Sequence, residues 1–237
     1  MKKIFIIKVG STFDEIVNEY GDMEDWIVNY IDDLNVNVIN IQNKETLPTI
    51  EECLGVIITG SHTMVTQEFS WSVSIEKFIR TLFTNNIPLL GICYGHQLIA
   101  KSLGGKVDYH EKGMELGCVE IKSNEHAKND AIFKYIPSSF NAHVIHSQSI
   151  IKLPKHAILL ASNDFENTHA FKMEPCTWGV QFHPEFNDYI MKSYIYEASK
   201  MKNINENDKH RLINNVKNTP AANEIIPLFV KVLRSNI

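Results

Sequence analysis

An α/β fold with a mostly parallel central sheet and helices on both faces is what this sequence predicts, and two observations predict it. Over residues 1–105, short apolar β-rich runs alternate with one-faced amphipathic stretches. Strands alternating with helices imply βαβ units, hence parallel strands covered on both sides. Over residues 106–182, by contrast, several short β-type runs follow one another closely. Such spacing suits a small β-hairpin-rich segment plus strands that return to the main sheet.

The elements follow in order. Residues 3–9 form an apolar run that reads as a first, buried strand. The run stops at Lys8 and no small-residue cleavage site follows, which argues against a signal peptide. A loop holds Gly10, Ser11 and Thr12. Met23, Trp26, Ile27, Tyr30, Ile31 and Leu34 recur at helical spacing, so 22–34 is predicted as an amphipathic helix. Residues 36–41 and 55–60 read as strands, the second ending in a glycine turn. Trp71, Ile75, Phe78, Ile79, Leu82 and Phe83 mark another helix. Residues 88–92 read as a buried strand, and 95–103 as a helix closed by Gly104 and Gly105. Later β-type runs lie at 117–122, 142–146, 157–162, 168–173 and 177–182. From about 188 the chain reads as a polar helical extension of a single domain spanning 1–237. Within it, 202–218 is expected to be the mobile stretch. Thr219 and Pro220 predict the start of a last helix, with Thr219 as cap and Ile225, Leu228, Phe229 and Val232 as its apolar face.

Composition narrows the function. The 237 residues carry a net charge of -5, which gives no electrostatic footprint for nucleic acid or for an anionic membrane. No uninterrupted apolar run is long enough for a transmembrane helix. The four cysteines, Cys53, Cys93, Cys118 and Cys176, are far apart and lack zinc-ligand spacing. They are expected to be reduced thiols in a cytoplasm, with at most one of them chemically special. No metal or cofactor motif is present.

The chemistry concentrates in two places. In Gly91-Ile92-Cys93-Tyr94-Gly95-His96-Gln97 an apolar strand runs directly into a cysteine flanked by glycines, and a helix follows. That is the strand–turn–helix frame of a nucleophile elbow. The tight turn presents the sulfur at the sheet edge, and the helix N-terminus favours its thiolate. The Tyr94 backbone N–H is the natural oxyanion donor. Gln97 is placed to offer its amide to a polar substrate, whereas a packing or capping role is expected for His96. The second place is Gln181-Phe182-His183-Pro184-Glu185. A cysteine nucleophile needs a base, and the base needs an orienting acceptor. His183 and Glu185 supply both from one strand end. A weaker signal is Thr59-Gly60-Ser61, a strand end whose glycine can turn a backbone N–H toward an anionic transition state.

These segments resemble the class I, triad-type glutamine amidotransferases over roughly residues 1–200, with the flavour of stand-alone GMP-synthase-like members. The resemblance implies a flavodoxin-like fold and a Cys93–His183–Glu185 triad, with an oxyanion hole from Gly60 and Tyr94. Thr59-Gly60-Ser61 stands where many members have Gly-Gly-Pro. The resemblance further implies that Gln97 contacts the glutamyl end of the substrate and that the backbone at Ser147 and Gln148 binds its α-carboxylate. Lys112 to Gly117 also looks like a family segment near the site, with no role implied for Glu115. No P-loop is present in the 237 residues, and no fused second catalytic domain is expected. Three activities stay open. One is a glutaminase that delivers ammonia to a separate synthetase subunit. Another is a free-standing hydrolase of γ-glutamyl peptides or amides. The third is a non-enzymatic binding protein, which the intact triad disfavours.

Overall fold

The computed structural model describes residues 2–32 and 34–235. Strand β1 (Lys3–Lys8) sends Ile4 and Ile6 into one apolar cluster and Phe5 and Ile7 into another. That split follows from the two-residue period of a strand, which serves both faces of a covered sheet. Two short helices follow, α1 (Asp14–Tyr20) and α2 (Met23–Val28). The single helix predicted over 22–34 is corrected here. Asn29 ends α2, and bonds from Tyr30 N to Ile27 O and from Ile31 N to Val28 O tighten the chain into a turn. The apolar stripe is still used as read, with Met23, Trp26, Ile27 and Ile31 buried. Asp33, within the predicted span, lies outside the described residues.

The alternation then runs as predicted through β2 (Val36–Asn40), β3 (Cys53–Ile58), α3 (Ser70–Thr84), β4 (Leu89–Ile92) and α4 (Tyr94–Ser102). The second half holds β5 (Lys106–Tyr109), β6 (Glu115–Ser123), β7 (Ser139–His146), β8 (Gln148–Lys152), β9 (Ile158–Ser162), β10 (Ala170–Met173) and β11 (Thr177–Val180). Strands β5 and β8 are absent from the sequence reading. Each is short with polar or charged ends, and they pair only with each other, as a separate two-stranded sheet. The main sheet has nine strands in the order β2-β1-β3-β4-β11-β10-β9-β6-β7. From β2 to β11 neighbours run parallel, and from β11 to β7 they run antiparallel. The predicted α/β class, a mostly parallel centre plus hairpins, is the one adopted.

Four helices close the chain: α5 (Asp188–Lys202), α6 (Glu206–Asn214), α7 (Pro220–Asn223) and α8 (Ile225–Arg234). The stretch 202–218 contains α6, whose Asn205 side chain caps it by accepting from Asp208 N at 2.9 Å. Thr219 makes no side-chain cap. Its carbonyl accepts from Asn223 N, and α7 is a single turn. The apolar face belongs to α8, where Ile225, Ile226, Phe229, Val230 and Leu233 are buried while Leu228 and Val232 are only partly covered. Its Leu233 lies so close to Gly55 that a Cβ there would come within 2.5 Å of it.

Helix α4 packs as closely on the sheet. A Cβ on Gly91 would lie 2.5 Å from the Gly95 carbonyl group, and one on Gly95 would lie 2.5 Å from the Ile58 carbonyl oxygen. Both obstacles are backbone, so neither can swing aside. Gly91→Ala is therefore expected to lower stability by about 1–3 kcal/mol, as overpacking does. A thermal melt equal to the wild type's would contradict this packing.

Candidate active site

One residue, Cys93, hands the chain from β4 to α4. Its backbone sits at φ 50°, ψ -98°, a region that side-chain-bearing residues avoid. Such strain costs about 1–3 kcal/mol and persists only where the surroundings impose it. Here they do so from two sides. Cys93 N donates to Val180 O of β11 at 2.8 Å, and the glycine contact between β4 and α4 fixes the turn from behind. The thiol is buried and lies 3.7 Å from Ile145 O. It stands at the N-terminus of α4, where the aligned peptide dipoles favour negative charge.

His183 follows β11 by three residues and is tied to β7, since His183 N donates to His143 O at 2.9 Å. Its Nδ1 donates to Glu185 Oε1 at 2.7 Å, and both side chains are buried. The ring stacks on Phe186 with centroids 4.2 Å apart. Its Nε2 has no hydrogen-bond partner among the described residues and belongs to the edge that meets Cys93. Burial works against the imidazolium. The Glu185 carboxylate and the Cys93 sulfur outweigh burial and raise His183 to about 10. The turn that carries Glu185 is held from α7, where Asn223 Nδ2 donates to Pro184 O at 2.7 Å and to Phe186 O at 3.0 Å. Nothing in the sequence marks Asn223, because its role exists only once α7 docks on this turn.

Gly60 comes in from the end of β3. A Cβ there would stand 3.7 Å from Cys93 Cβ and 3.1 Å from His183 Cε1. Three segments far apart in sequence thus converge on one point. Tyr94 opens α4 beside them, its hydroxyl on Ser72 Oγ at 2.8 Å. Gln97 differs in detail from its reading. Its amide nitrogen donates inward, to Gln148 O at 2.8 Å and Gln181 Oε1 at 2.9 Å. The carbonyl oxygen is the end left for a ligand. Ser147 and Gln148 border the same cavity, and Gln148 Nε2 donates to Thr66 Oγ1 at 2.6 Å. His96 lies against Phe171 in the core, and burial pushes it down to about 3, so it stays neutral, in keeping with a packing role.

The cavity over Cys93 measures about 140 Å³. Part of its wall is unforeseen: Phe13, from the loop after β1, and Tyr194, Ala198 and Met201, from α5. Their helical or loop positions carry no sequence signal for a site. Among the described residues no group of three His, Cys, Asp or Glu side chains is arranged to hold a metal ion. No described helix is long and apolar enough to cross a membrane.

Residues 15–202 match the sequence model of the family described as glutamine amidotransferase class-I. The chain belongs to the class-I glutamine amidotransferases. Among relatives of this family, it is 33% identical over 163 residues to a glutamine-hydrolyzing GMP synthase subunit from Methanococcus vannielii, covering 66% of this chain and 80% of that one. It is 29% identical over 160 residues to gamma-glutamyl peptidase 4 of Arabidopsis thaliana, covering 67% of this chain. The match spans only 64% of that peptidase's length. The crystal structure of a glutamine amidotransferase from Thermotoga maritima superposes with a TM-score of 0.74 over 100% of this chain and 98% of that one. At 19% identity this likeness concerns the fold.

Proposed function

We propose that this amidotransferase-family chain hydrolyses the γ-amide of glutamine through Cys93, with His183 carrying the proton and Glu185 orienting it. The observation that supports this reading best is the convergence of Gly60, Cys93 and the His183–Glu185 pair on one cavity.

The steps follow from the groups present. The imidazolium of His183 holds Cys93 as a thiolate, which attacks the γ-carbonyl carbon. The carbonyl oxygen takes up the displaced electron pair and is stabilised by the N–H groups of Gly60 and Tyr94. His183 passes its Nε2 proton to the departing nitrogen, and the C–N bond breaks, leaving a γ-glutamyl thioester. His183 then takes a proton from water. The hydroxide attacks the thioester, glutamate leaves, and Cys93 returns as thiolate. Gln97, Ser147 and Gln148 hold the glutamyl end throughout. The C-terminal helices belong to the same unit, because α5 lines the cavity and α7 clamps the Glu185 turn. By analogy with the relative named as a GMP synthase subunit, the ammonia would pass to a separate synthetase chain.

A specific observation favours a second reading, a γ-glutamyl peptide or amide hydrolase that acts alone. Phe13, His62 and Tyr194 form an aromatic wall with centroids 4.5, 5.5 and 5.9 Å apart. Phe186 links it to His183, stacking on that ring and lying 4.7 Å from Tyr194. Since His183 protonates the leaving nitrogen, this wall borders the leaving group. Ammonia needs no apolar wall, whereas an amine with an aromatic substituent gains from one. Glutamate release from glutamine, γ-glutamylglycine and γ-glutamylphenylalanine separates the two. Turnover confined to glutamine supports the glutaminase. A higher kcat/KM for γ-glutamylphenylalanine supports the second reading. No release from any of the three defeats both.

A further inference from the structure

The segment Lys112 to Gly117 has no part in the chemistry above, and Glu115 does not border the cavity. It opens β6 directly opposite His146, the last residue of β7. Its buried carboxylate collects three side chains. Oε2 lies 2.9 Å from His146 Nε2 and 3.3 Å from His169 Nε2, and Oε1 accepts from Asn163 Nδ2 at 2.8 Å. Burial on its own would favour the neutral acid. The hydrogen bond with His146 and the nearby His169 ring reverse that and hold Glu115 well below the usual carboxylate range.

His146 carries the contact onward, for its Nδ1 lies 3.0 Å from Gln148 O. The two ring nitrogens of His146 thus face two acceptors, the Glu115 carboxylate on one side and the Gln148 carbonyl on the other. The carbonyl it reaches is the one that accepts from Gln97 Nε2. This is also where the chain leaves the nine-stranded sheet at His146 and enters the two-stranded sheet at Gln148. Neither ladder includes Ser147; His110 N donates to its carbonyl at 2.9 Å, and the side-chain bonds of His146 hold the step beside it. A chain of bonds therefore runs from Glu115 through His146 to the Gln148 carbonyl and Gln97, two points on the cavity wall.

We propose that Glu115 is a positioning residue, which through His146 sets the Ser147–Gln148 backbone and thereby the pocket for the glutamyl end of the substrate. The inference rests on the proposed role of Ser147 and Gln148. It predicts an effect on binding and little on the Cys93–His183 pair. Two nearly isosteric variants test it. Glu115→Gln keeps a carbonyl acceptor for His146, and Glu115→Met removes it. With L-glutamine, Glu115→Met is expected to raise KM about tenfold, the cost of leaving a buried donor without its acceptor, with kcat within about threefold of wild type. Glu115→Gln should stay close to wild type. The rate at which iodoacetamide alkylates Cys93 should be the same in all three. His146→Gln, which can reach only one of the two acceptors, is the second route and should show the same rise in KM. An unchanged KM in Glu115→Met and His146→Gln overturns the inference. So does a fall in kcat and alkylation rate that accompanies any change in KM. A wild type that releases no glutamate defeats the functional reading instead, so the two failures are distinct.

Discussion

Cys93→Ala is expected to reduce glutamate release at least 10⁴-fold, since nothing else in the cavity can form the thioester. The residual rate would come from binding and the oxyanion donors alone. A second substitution shows whether the site stores strain. Alanine retains the φ of 50° that Cys93 adopts, whereas glycine accepts it freely. Glycine also costs about 0.4–1 kcal/mol through the greater freedom of the unfolded chain. The relief of about 1–3 kcal/mol of backbone strain outweighs that cost. Cys93→Gly should therefore melt above Cys93→Ala, with both variants inactive. Equal or reversed melting temperatures would mean that the elbow is not strained. Wild-type activity in Cys93→Ala would sink the proposed mechanism.

Much of this site was legible because its signals are local. Gly91, Cys93 and Gly95 sit within one turn, and the same two glycines that frame the cysteine are those whose absent Cβ atoms let α4 touch the sheet. His183 and Glu185 lie two residues apart and form their bond across a single proline. The parallel half of the fold was legible for a related reason, since β1, β3 and β4 are apolar on both faces and stand out as runs. What was hidden depends on tertiary contact. Strands β5 and β8 exist by pairing with each other. Glu115 and His146 meet across two paired strands, with His169 joining them from just before β10, and no spacing in the chain predicts that. Asn223 reads as an ordinary polar helix residue until α7 lies on the Pro184 turn. The helix predicted over 22–34 shows a further limit, because the stripe reported which side chains are buried but not where helical bonding stops.

Glu185→Gln is expected to lower kcat by about 10³–10⁴-fold and to move the basic limb of the pH profile toward acid. The glutamine keeps the shape of Glu185 but not its charge, and its amide can present N–H to His183 Nδ1 and select the wrong tautomer. The direction of the pH shift follows from the balance at His183. Burial lowers this group, and Glu185 is the foremost of the causes that raise it to about 10. Without that charge, burial weighs more heavily and the imidazolium is lost at lower pH. Stability changes in step. A group raised from 6.5 to about 10 on folding contributes in full below pH 6.5, and the contribution fades as pH climbs to about 10. The melting gap between wild type and Glu185→Gln should therefore be widest near pH 6 and close progressively toward pH 10. Melts at pH 6, 8 and 10 measure this directly. A gap that stays constant or widens over that range would mean that Glu185 orients His183 without holding its proton, and the thiolate–imidazolium pair would need another source of stabilisation.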